Sequence, residues 1–427
     1  MVVFDLVNKL RHSKYWKNIG LLSGTQGLSM AVPIAAAPIL GRLYSPSEYA
    51  FLALYMSFSG LLGASTTLQM HQSIIAEKRH ENIPALISMV LITGLGVSAL
   101  SFLLAIVLWK QVFAGTDFAE FGPWFLLLAF STAGTTISSI TINFAHRLDK
   151  YSFLAVFQFV TVLLTTLLSI VFGLLGFSTH GLMLSYMITQ VVLVATMMVY
   201  GFKIGAFAGL SFGAQSFNVY KRHKDFAFFT FPSEFINTFA GNVPLYALSY
   251  IGAITPLGAF NRAAFFSSVP LKLVGLAVAP VFRRRVRDDL AREGSCRRIY
   301  IQTLIFLAAI ALPFSAIVYV FGPAIFAFIL GEDWRIAGEI ASIIAPMACA
   351  QTLAAPLSAV YQINEGQRSY FKFIAIGLCV SLSTTFFNVT SGFSYEVIIL
   401  VYSACYTILH ALVVIDGYRN QTIEKTP

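Results

Sequence analysis

Two cationic residues, Lys272 and Arg262, lie in one long apolar stretch, where a charge is costly. Lys272 is near its middle, and a charge at the centre of a membrane-spanning helix costs roughly 2.5–3.5 kcal/mol. Arg binds phosphate through a bidentate fork and Lys as a point charge. The pair therefore predicts a cationic cavity for an anionic ligand, with Arg42, after the first apolar stretch, as a weaker candidate. The alternatives are an Arg262 side chain that reaches the lipid headgroups and an Arg42 side chain that caps a loop.

Four further polar residues on apolar stretches could contribute to such a cavity. Glu234 could pair with Lys272. The amides of Gln26, Asn237 and Asn242 could bind sugar hydroxyls. Alternatively, Glu234 and Lys272 form a structural ion pair, and the amides join neighbouring helices through hydrogen bonds. The sequence leaves both interpretations open for each residue.

The composition excludes several classes of protein. The chain is 57% hydrophobic and only 11% charged, whereas a soluble domain carries roughly 25% charged residues. A soluble fold would have too little polar surface, so we expect an integral membrane protein. The four cysteines form no C-x-x-C pair and the seven histidines show no H-x-x-H spacing, so no metal site is expected. No G-x-x-x-x-G-K-[ST] motif is present, so we expect neither ATP nor another cofactor.

Hydropathy predicts an all-α protein with twelve membrane-spanning helices of about 20 residues each. The predicted spans are residues 18–40, 49–70, 85–108, 122–143, 152–175, 181–200, 228–252, 262–282, 299–321, 339–361, 371–388 and 397–415. These runs are too long for the strands of a membrane barrel, and their apolar residues do not alternate strictly.

The basic residues follow the spans in an alternating pattern. Of 28 Lys and Arg residues, 23 fall at the N-terminus, at the C-terminus or in gaps after even-numbered spans. Because Lys and Arg resist translocation, this pattern predicts that both termini are cytoplasmic. The exceptions are Arg42, Lys110, Arg262, Lys272 and Arg335. Seven arginines between residues 283 and 298 are interpreted mainly as a topology anchor on anionic lipid.

The two halves of the chain resemble each other weakly. Short motifs recur in the same order, and prolines interrupt both the first span and the seventh span. Parallel repeats of this kind occur in transporters, with the substrate near the midplane between the halves. The predicted domains are an N-terminal six-helix bundle (1–200), a cytoplasmic linker (201–227) and a C-terminal six-helix bundle (228–427).

Three local motifs resemble those of one family, the bacterial polysaccharide flippases of the Wzx type. Their superfamily also holds MATE drug exporters and the lipid II flippase. The motifs are PILGRLYSPSEY at 38–49, LGAFNR at 257–262 with Pro270, and GEDWR at 331–335. Arg42 and Arg262 match the family pattern. One departure is the Met70-His71 pair, where the family often has Tyr-Glu.

The resemblance implies a MATE-like fold of two six-helix bundles and a function in the bacterial inner membrane. The family moves undecaprenyl-diphosphate-linked oligosaccharide to the outer leaflet, for O-antigen, capsule or exopolysaccharide synthesis. A polysaccharide polymerase and a chain-length regulator are the implied protein partners. The sequence leaves open whether transport is driven by a gradient of Na⁺ or H⁺ or by removal of the product. The seven arginines could then be a landing site for a lipid-linked pyrophosphate. Two other functions stay open: a cation-coupled multidrug antiporter, and, less in keeping with the short outer loops, a membrane glycan polymerase.

Overall fold

A computed structural model describes residues 14–112, 119–363 and 367–419, and no β-strand occurs in these ranges. Thirteen helices have nine residues or more: α1 (Lys14–Leu43), α2 (Pro46–Ser65), α3 (Ile83–Val107), α4 (Leu128–Arg147), α5 (Tyr151–Leu174), α6 (Ser178–Ile204), α7 (Ala214–Arg222), α8 (Phe231–Tyr250), α9 (Ile254–Glu293), α10 (Arg297–Leu330), α11 (Arg335–Leu357), α12 (Gln367–Thr390) and α13 (Tyr395–Arg419). Shorter helical segments are Met70–Gln72, Ser73–Ala76, His80–Asn82, Leu108–Val112, Ala119–Phe121, Gly122–Phe125, Phe226–Thr230, Glu332–Trp334 and Ala359–Ile363.

Nine helices of the described ranges are long and apolar enough to cross a membrane, and a tenth span is formed if α2 and Met70–Ala76 count together. The pair is bent by 53°, and Leu68 and Gln69 at the bend have left-handed backbone with φ of 47° and 58°. Helices α1 and α8 coincide with the first and seventh predicted spans, but polar side chains lower their hydropathy. The all-helical membrane fold is confirmed, and the count of twelve spans stays a prediction.

Helix α9 is longer than the span predicted for it. The prediction covered residues 262–282, whereas the helix runs for 40 residues from Ile254 to Glu293. At 1.5 Å per residue this is about 60 Å, twice the thickness of a hydrocarbon core of about 30 Å. Hydropathy reports only the part of a helix that can lie in lipid, so the basic continuation after residue 282 was not predicted to be helical.

The chain divides into two compact units. The first comprises the described residues up to Ala36 together with Phe51–Asn242, and the second comprises Ala37–Ala50 and the described part of Val243–Pro427. In the first unit α4 packs against both α3 and α6, and α5 packs against α6. In the second unit α11 is the central helix, in contact with α9, α10 and α13. The predicted division at 201–227 stays a prediction.

The segment after α6 is folded onto the first unit. Helix α7 packs against α3, and Val219 is buried in the same apolar cluster as Leu86 and Val90. The hydroxyl groups of Tyr220 and Thr93 are 3.1 Å apart. His223 Nε2 lies 2.9 Å from a carboxylate oxygen of Glu77. Much of the predicted linker is thus a packed part of the first unit.

Glu77 lies at the contact between this segment and the first unit, and its side chain is only 8% exposed. Its Oε1 accepts the backbone N–H of Arg79 at 2.9 Å, and its Oε2 faces His223. Arg147 donates to the backbone carbonyls of Ile74 and Glu77. The Arg79 N–H, His223 and Asn82 together lower the pKa of Glu77 to about 2. The carboxylate therefore favours the folded state while it is ionised.

Close approach in the second unit depends on glycine at Gly258. A Cβ at this position of α9 would meet the backbone carbonyl of Pro46 well inside van der Waals contact. The backbone of the 37–50 segment therefore lies directly on α9. The Gly322 and Gly338 pair does the same for α10 and α11, since a Cβ on either would meet the backbone of the other.

We predict that Gly258→Ala destabilises the protein by about 1–3 kcal/mol, because the new methyl group overpacks a contact between two backbones. The matched control is Gly275→Ala in the same helix, where a Cβ would meet Pro356 Cγ at an ordinary 3.7 Å. The control should be neutral or slightly stabilising, because Ala loses less conformational entropy than Gly in a helix. Melting temperatures of the purified proteins in detergent measure both, and equal values would contradict the packing argument.

We predict that Glu77→Gln lowers the stability by about 1–2 kcal/mol at neutral pH, as expected for hydrogen bonds to a charged group. Because the folded-state pKa is depressed to about 2, the stabilisation is complete above the ordinary pKa of about 4.5 and is lost as pH falls towards 2. The melting-temperature difference between wild type and variant should therefore shrink between pH 5 and pH 3. Exposed Glu81 in the same loop provides the control Glu81→Gln. A difference in melting temperature that does not change with pH would show that the charge of Glu77 does not stabilise the packing of this segment on the first unit.

Candidate functional site

Arg262 and three aromatic side chains form a packed cluster in the second unit. The guanidinium carbon of Arg262 lies 3.9 Å from the ring centroid of Tyr49. Tyr49 packs edge-on against Tyr44 and Trp334, with ring centroids 5.8 Å and 5.5 Å apart. All three aromatic side chains are buried. A cation over an aromatic ring is stabilising by about 0.5–2 kcal/mol, depending on its solvation, so Arg262 helps to hold this cluster together.

The same cluster fixes the backbone between α1 and α2. The Trp334 indole N–H donates to the carbonyl of Gly41 at 2.9 Å and lies 3.2 Å from that of Tyr44. Arg42 Nη1 donates to the carbonyl of Pro38 at 2.7 Å and reaches that of Ile329 at 3.3 Å. Arg262 therefore contacts the 37–50 segment, and Arg42, which is part of that segment, links it to Ile329. Their predicted role in binding an anion stays a prediction.

Lys272 has a different environment. It is exposed on α9, and no ion pair or hydrogen bond of its side chain is found in the described ranges. It lies ten residues after Arg262, about 15 Å along the helix. Arg262 is half-buried against Tyr49 while Lys272 is not part of that cluster. The two cations thus occupy separate places on one helix.

The polar residues of α8 are less constrained. Glu234 and Asn237 are exposed. The Nδ2 group of Asn242 donates to the carbonyl of Thr238, one turn earlier, at 2.8 Å. Its amide is thus partly used by its own helix. The pairing of Glu234 with Lys272 stays a prediction, as does the binding of sugar hydroxyls by Asn237 and Asn242.

Gln26 lines a cavity of about 550 Å³ within the first unit. The wall is formed by side chains of α1, α4, α5 and α6: Gln26, Ser138, Ile142, His146, Leu154, Phe157, Gln158, Thr161, Val162, Leu193 and Met197. The volume is within the range of about 300–1,000 Å³ that small-molecule sites occupy. Of the predicted site residues, the structure places Gln26 in this wall.

The polar part of this cavity is neutral. Its wall holds two amides, two hydroxyls and one imidazole, and neither a carboxylate nor a Lys or Arg. The Ser138 hydroxyl is buried and has no hydrogen-bond partner among the described residues. Thr161 donates to the carbonyl of Phe157 at 2.8 Å. The cavity therefore presents an apolar wall with a few hydrogen-bonding groups, which suits a ligand that carries hydroxyl or amide groups.

Sequence reasoning missed most of this cavity. Ser138, Ile142 and His146 recur at intervals of four residues, and Phe157, Gln158 and Thr161 share one face of α5. This spacing would have indicated that α4 and α5 each have one face on which polar and apolar side chains are mixed. It could not have shown that the two faces and Gln26 border one space, because that depends on how α1, α4, α5 and α6 pack.

His71, the departure from the flippase pattern, lies in the short segment after the bend of α2. Its Nδ1 is 2.5 Å from the hydroxyl of Thr67. No group of three or more His, Cys, Asp or Glu side chains arranged to hold a metal ion occurs in the described parts of the chain.

The model of a family described as polysaccharide biosynthesis protein matches residues 39–339, about seven-tenths of the chain. No protein with curated annotation matches it significantly in sequence.

Its fold resembles that of solved transporters. The lipid II flippase MurJ in an inward closed conformation superposes with a TM-score of 0.72, at 13% identity, over 93% of this chain and 87% of the flippase. An inward-facing MATE multidrug transporter has a TM-score of 0.66, at 13% identity, over 91% of this chain and 93% of the transporter. A transporter of the same superfamily from Pyrococcus furiosus, described as having a binding pocket of reverse polarity, has a TM-score of 0.60, at 15% identity, over 96% of both chains.

These matches confirm the MATE-like fold. The structural neighbours are transporters and a flippase. Identities of this size show the fold alone, and the family is shown by the match to residues 39–339. The chain is a member of the polysaccharide biosynthesis protein family.

Proposed function

We propose that the protein is a flippase that moves undecaprenyl-diphosphate-linked oligosaccharide repeat units across the bacterial inner membrane by alternating access. The membership in a polysaccharide biosynthesis family and the likeness to the lipid II flippase fold support the class of substrate. The product would serve O-antigen, capsule or exopolysaccharide synthesis. Both termini would be cytoplasmic, as the distribution of Lys and Arg predicts.

The observation that carries this proposal is Lys272. It is an exposed cation within the apolar part of a helix that is long enough to cross a bilayer. A charge in that place costs roughly 2.5–3.5 kcal/mol, and the described part of the chain offers it no anionic partner. An anionic substrate group would offset this cost. A diphosphate is suitable because it is strongly charged and cannot itself enter lipid unaccompanied.

Other residues would have secondary roles. Arg262 and Arg42 would hold the 37–50 segment and contact the substrate only if their present contacts open. The neutral cavity beside Gln26 has the hydrogen-bonding groups to receive sugar hydroxyls. Glu234, Asn237 and Asn242 are proposed to line the path on α8. Rocking of the two halves around the site would complete transport.

The proposal includes an energy source and protein partners. Transport would be driven by Na⁺ or H⁺, or by removal of the product. A polysaccharide polymerase and a chain-length regulator are the proposed protein partners at the outer face.

A MATE-like multidrug antiporter is the alternative on the same fold, and the partly apolar cavity of the first unit is the observation that favours it.

We predict that Lys272→Ala reduces export of lipid-linked glycan by about tenfold or more, because a charge-assisted contact with the substrate is lost. Export is measured as lipid-linked glycan on the outer face of cells, at matched protein levels. The melting temperature should stay close to wild type, since Lys272 makes no ion pair or hydrogen bond within the described residues. Arg262→Ala should lower both export and melting temperature, because it also removes the contact with Tyr49.

The control is Arg335→Ala, which removes an exposed cation whose Nε already bonds Glu332 Oε1 at 2.5 Å. Its export should be unchanged. Normal export by Lys272→Ala would reject the proposed role of this lysine. Transport of a cationic dye by the wild type, together with normal glycan export in a deletion strain, would favour the antiporter instead.

A further inference from the structure

The helical hairpin formed by the end of α9 and the start of α10, residues 283–298, carries many positive charges on the second unit. We call it the arginine hairpin. It carries seven arginines against three acidic residues, and all seven arginines are exposed. It is therefore a surface with four positive charges in excess, at the point where α9 leaves its apolar part.

The hairpin is rigidly supported. Phe282, Val286 and Leu290 recur every four residues on one face of α9 and are buried. They pack against Cys296 and Tyr300 at the turn into α10. Five of the arginines are thus held on the continuous helix α9 and two at the start of α10, and a packed core lies behind both helix ends.

Two tyrosines brace this core from the far side. The hydroxyl of Tyr300 donates to the carbonyl of Val414 at 2.7 Å. The hydroxyl oxygen of Tyr361 lies 2.9 Å from both the carbonyl of Val413 and a carboxylate oxygen of Asp416, either of which can accept its proton. The hairpin is therefore tied to α13 as well as to α10.

Most of the arginines lack an intramolecular partner in the described residues. Arg284 lies 4.0 Å from Asp288, and Arg297 lies 5.1 Å from the ring centroid of Tyr418. Arg283 and Arg287 are one helical turn apart, about 6 Å along the axis, and so project from the same side of α9. Neither has an ion pair in the described part of the chain. Two adjacent guanidinium forks are thus available to one ligand.

Topology alone does not account for this arrangement. The positive-inside effect depends on the number of Lys and Arg residues near a span, and it requires neither a packed core nor arginine in place of lysine. Here all seven cations are arginine. Arginine differs from lysine in its planar fork, which binds phosphate oxygens two at a time.

We propose that the arginine hairpin is the docking site for the diphosphate headgroup of the lipid-linked glycan, at the membrane surface, before transport begins. This inference rests on the proposed function and adds a first contact to it. The lipid tail would stay in the bilayer beside the apolar part of α9, while Arg283 and Arg287 hold the two phosphates. The substrate would then pass from this site towards Lys272 along the same helix.

The test measures binding without transport. Full-length protein in a neutral detergent is titrated with undecaprenyl diphosphate, undecaprenyl monophosphate or phosphatidylglycerol, and bound lipid is counted by native mass spectrometry. The wild type should prefer the diphosphate. Replacing Arg283 and Arg287 together by Gln should weaken diphosphate binding by about tenfold or more, because charge-assisted hydrogen bonds are lost. Replacing both by Lys keeps the charge and loses the forks, so its affinity should lie between those of the wild type and the Gln pair.

The matched control replaces Lys221 and Arg222 of α7 by Gln, which removes the same charge from exposed residues of the first unit. Its diphosphate affinity should equal that of the wild type. Equal losses in the hairpin variant and the control, or equal losses for diphosphate and phosphatidylglycerol, would overturn the proposal in favour of a general lipid anchor. A wild-type affinity in the Gln pair would overturn it as well.

The outcome is separable from that of the proposed function. If hairpin variants bind normally while Lys272→Ala stops export, the docking site is rejected and the flippase stands. If hairpin variants lose the diphosphate while glycan export in a deletion strain is normal, the binding surface stands and the flippase is rejected. Melting temperatures confirm that each variant is folded, which is expected because both replaced arginines are exposed.

Discussion

The hydrocarbon core of a membrane contains no water to bond a protein backbone, and each polar group left unpaired there costs several kcal/mol. This constraint explains why only helices are found in the described spans. It also explains where their hydroxyl groups point. Thr93, Ser98 and Thr132 each donate to the carbonyl four residues earlier, at 2.6–2.9 Å. Such hydroxyl groups are satisfied within their own helix, whereas the buried hydroxyls of Ser138 and Ser267 have no hydrogen-bond partner among the described residues.

Where the chain bends or breaks, side chains replace the lost helical bonds. After α2, the Gln69 amide donates to the carbonyl of Ala64 at 3.0 Å. Between α1 and α2, Trp334 and Arg42 donate to carbonyls at the end of α1. The indole of Trp334 comes from a distant part of the sequence, so the turn is stabilised by the rest of the second unit. The 37–50 segment therefore belongs to the second unit although it lies in the first eighth of the chain.

The sequence predicted the helical elements well and their extensions and contacts poorly. The positions of α1 and α8 were found although polar residues interrupt them, because apolar residues still dominate each stretch. The continuation of α9 to Glu293 was missed because hydropathy ends where the arginines begin. Helix α7 was predicted as part of a linker, because its few core-facing residues, Val219 and Tyr220, lie in a short basic segment.

The residues of the candidate site could likewise be predicted only in part from the sequence. Gln26 was singled out from its residue type, but its cavity partners are set by the packing of four helices. Arg262 was selected as an anion ligand, and the structure adds a contact with Tyr49 that no local pattern encodes. The type of a residue and its depth in the membrane can be predicted from the sequence of a single helix. The space between helices depends on side chains far apart in sequence, such as Gln26 and Met197.

Four of the five cations that departed from the alternating charge pattern are now distinguished by their contacts. Arg335 bonds the neighbouring Glu332, Arg42 caps carbonyl groups and Arg262 stacks on Tyr49. Each of these contacts stabilises the fold at a helix end. Lys272 lies inside an apolar segment and makes no such contact within the described residues. Folding therefore provides no interaction that offsets its cost in the membrane, and for this reason the proposed function gives Lys272 an anionic substrate group as its partner.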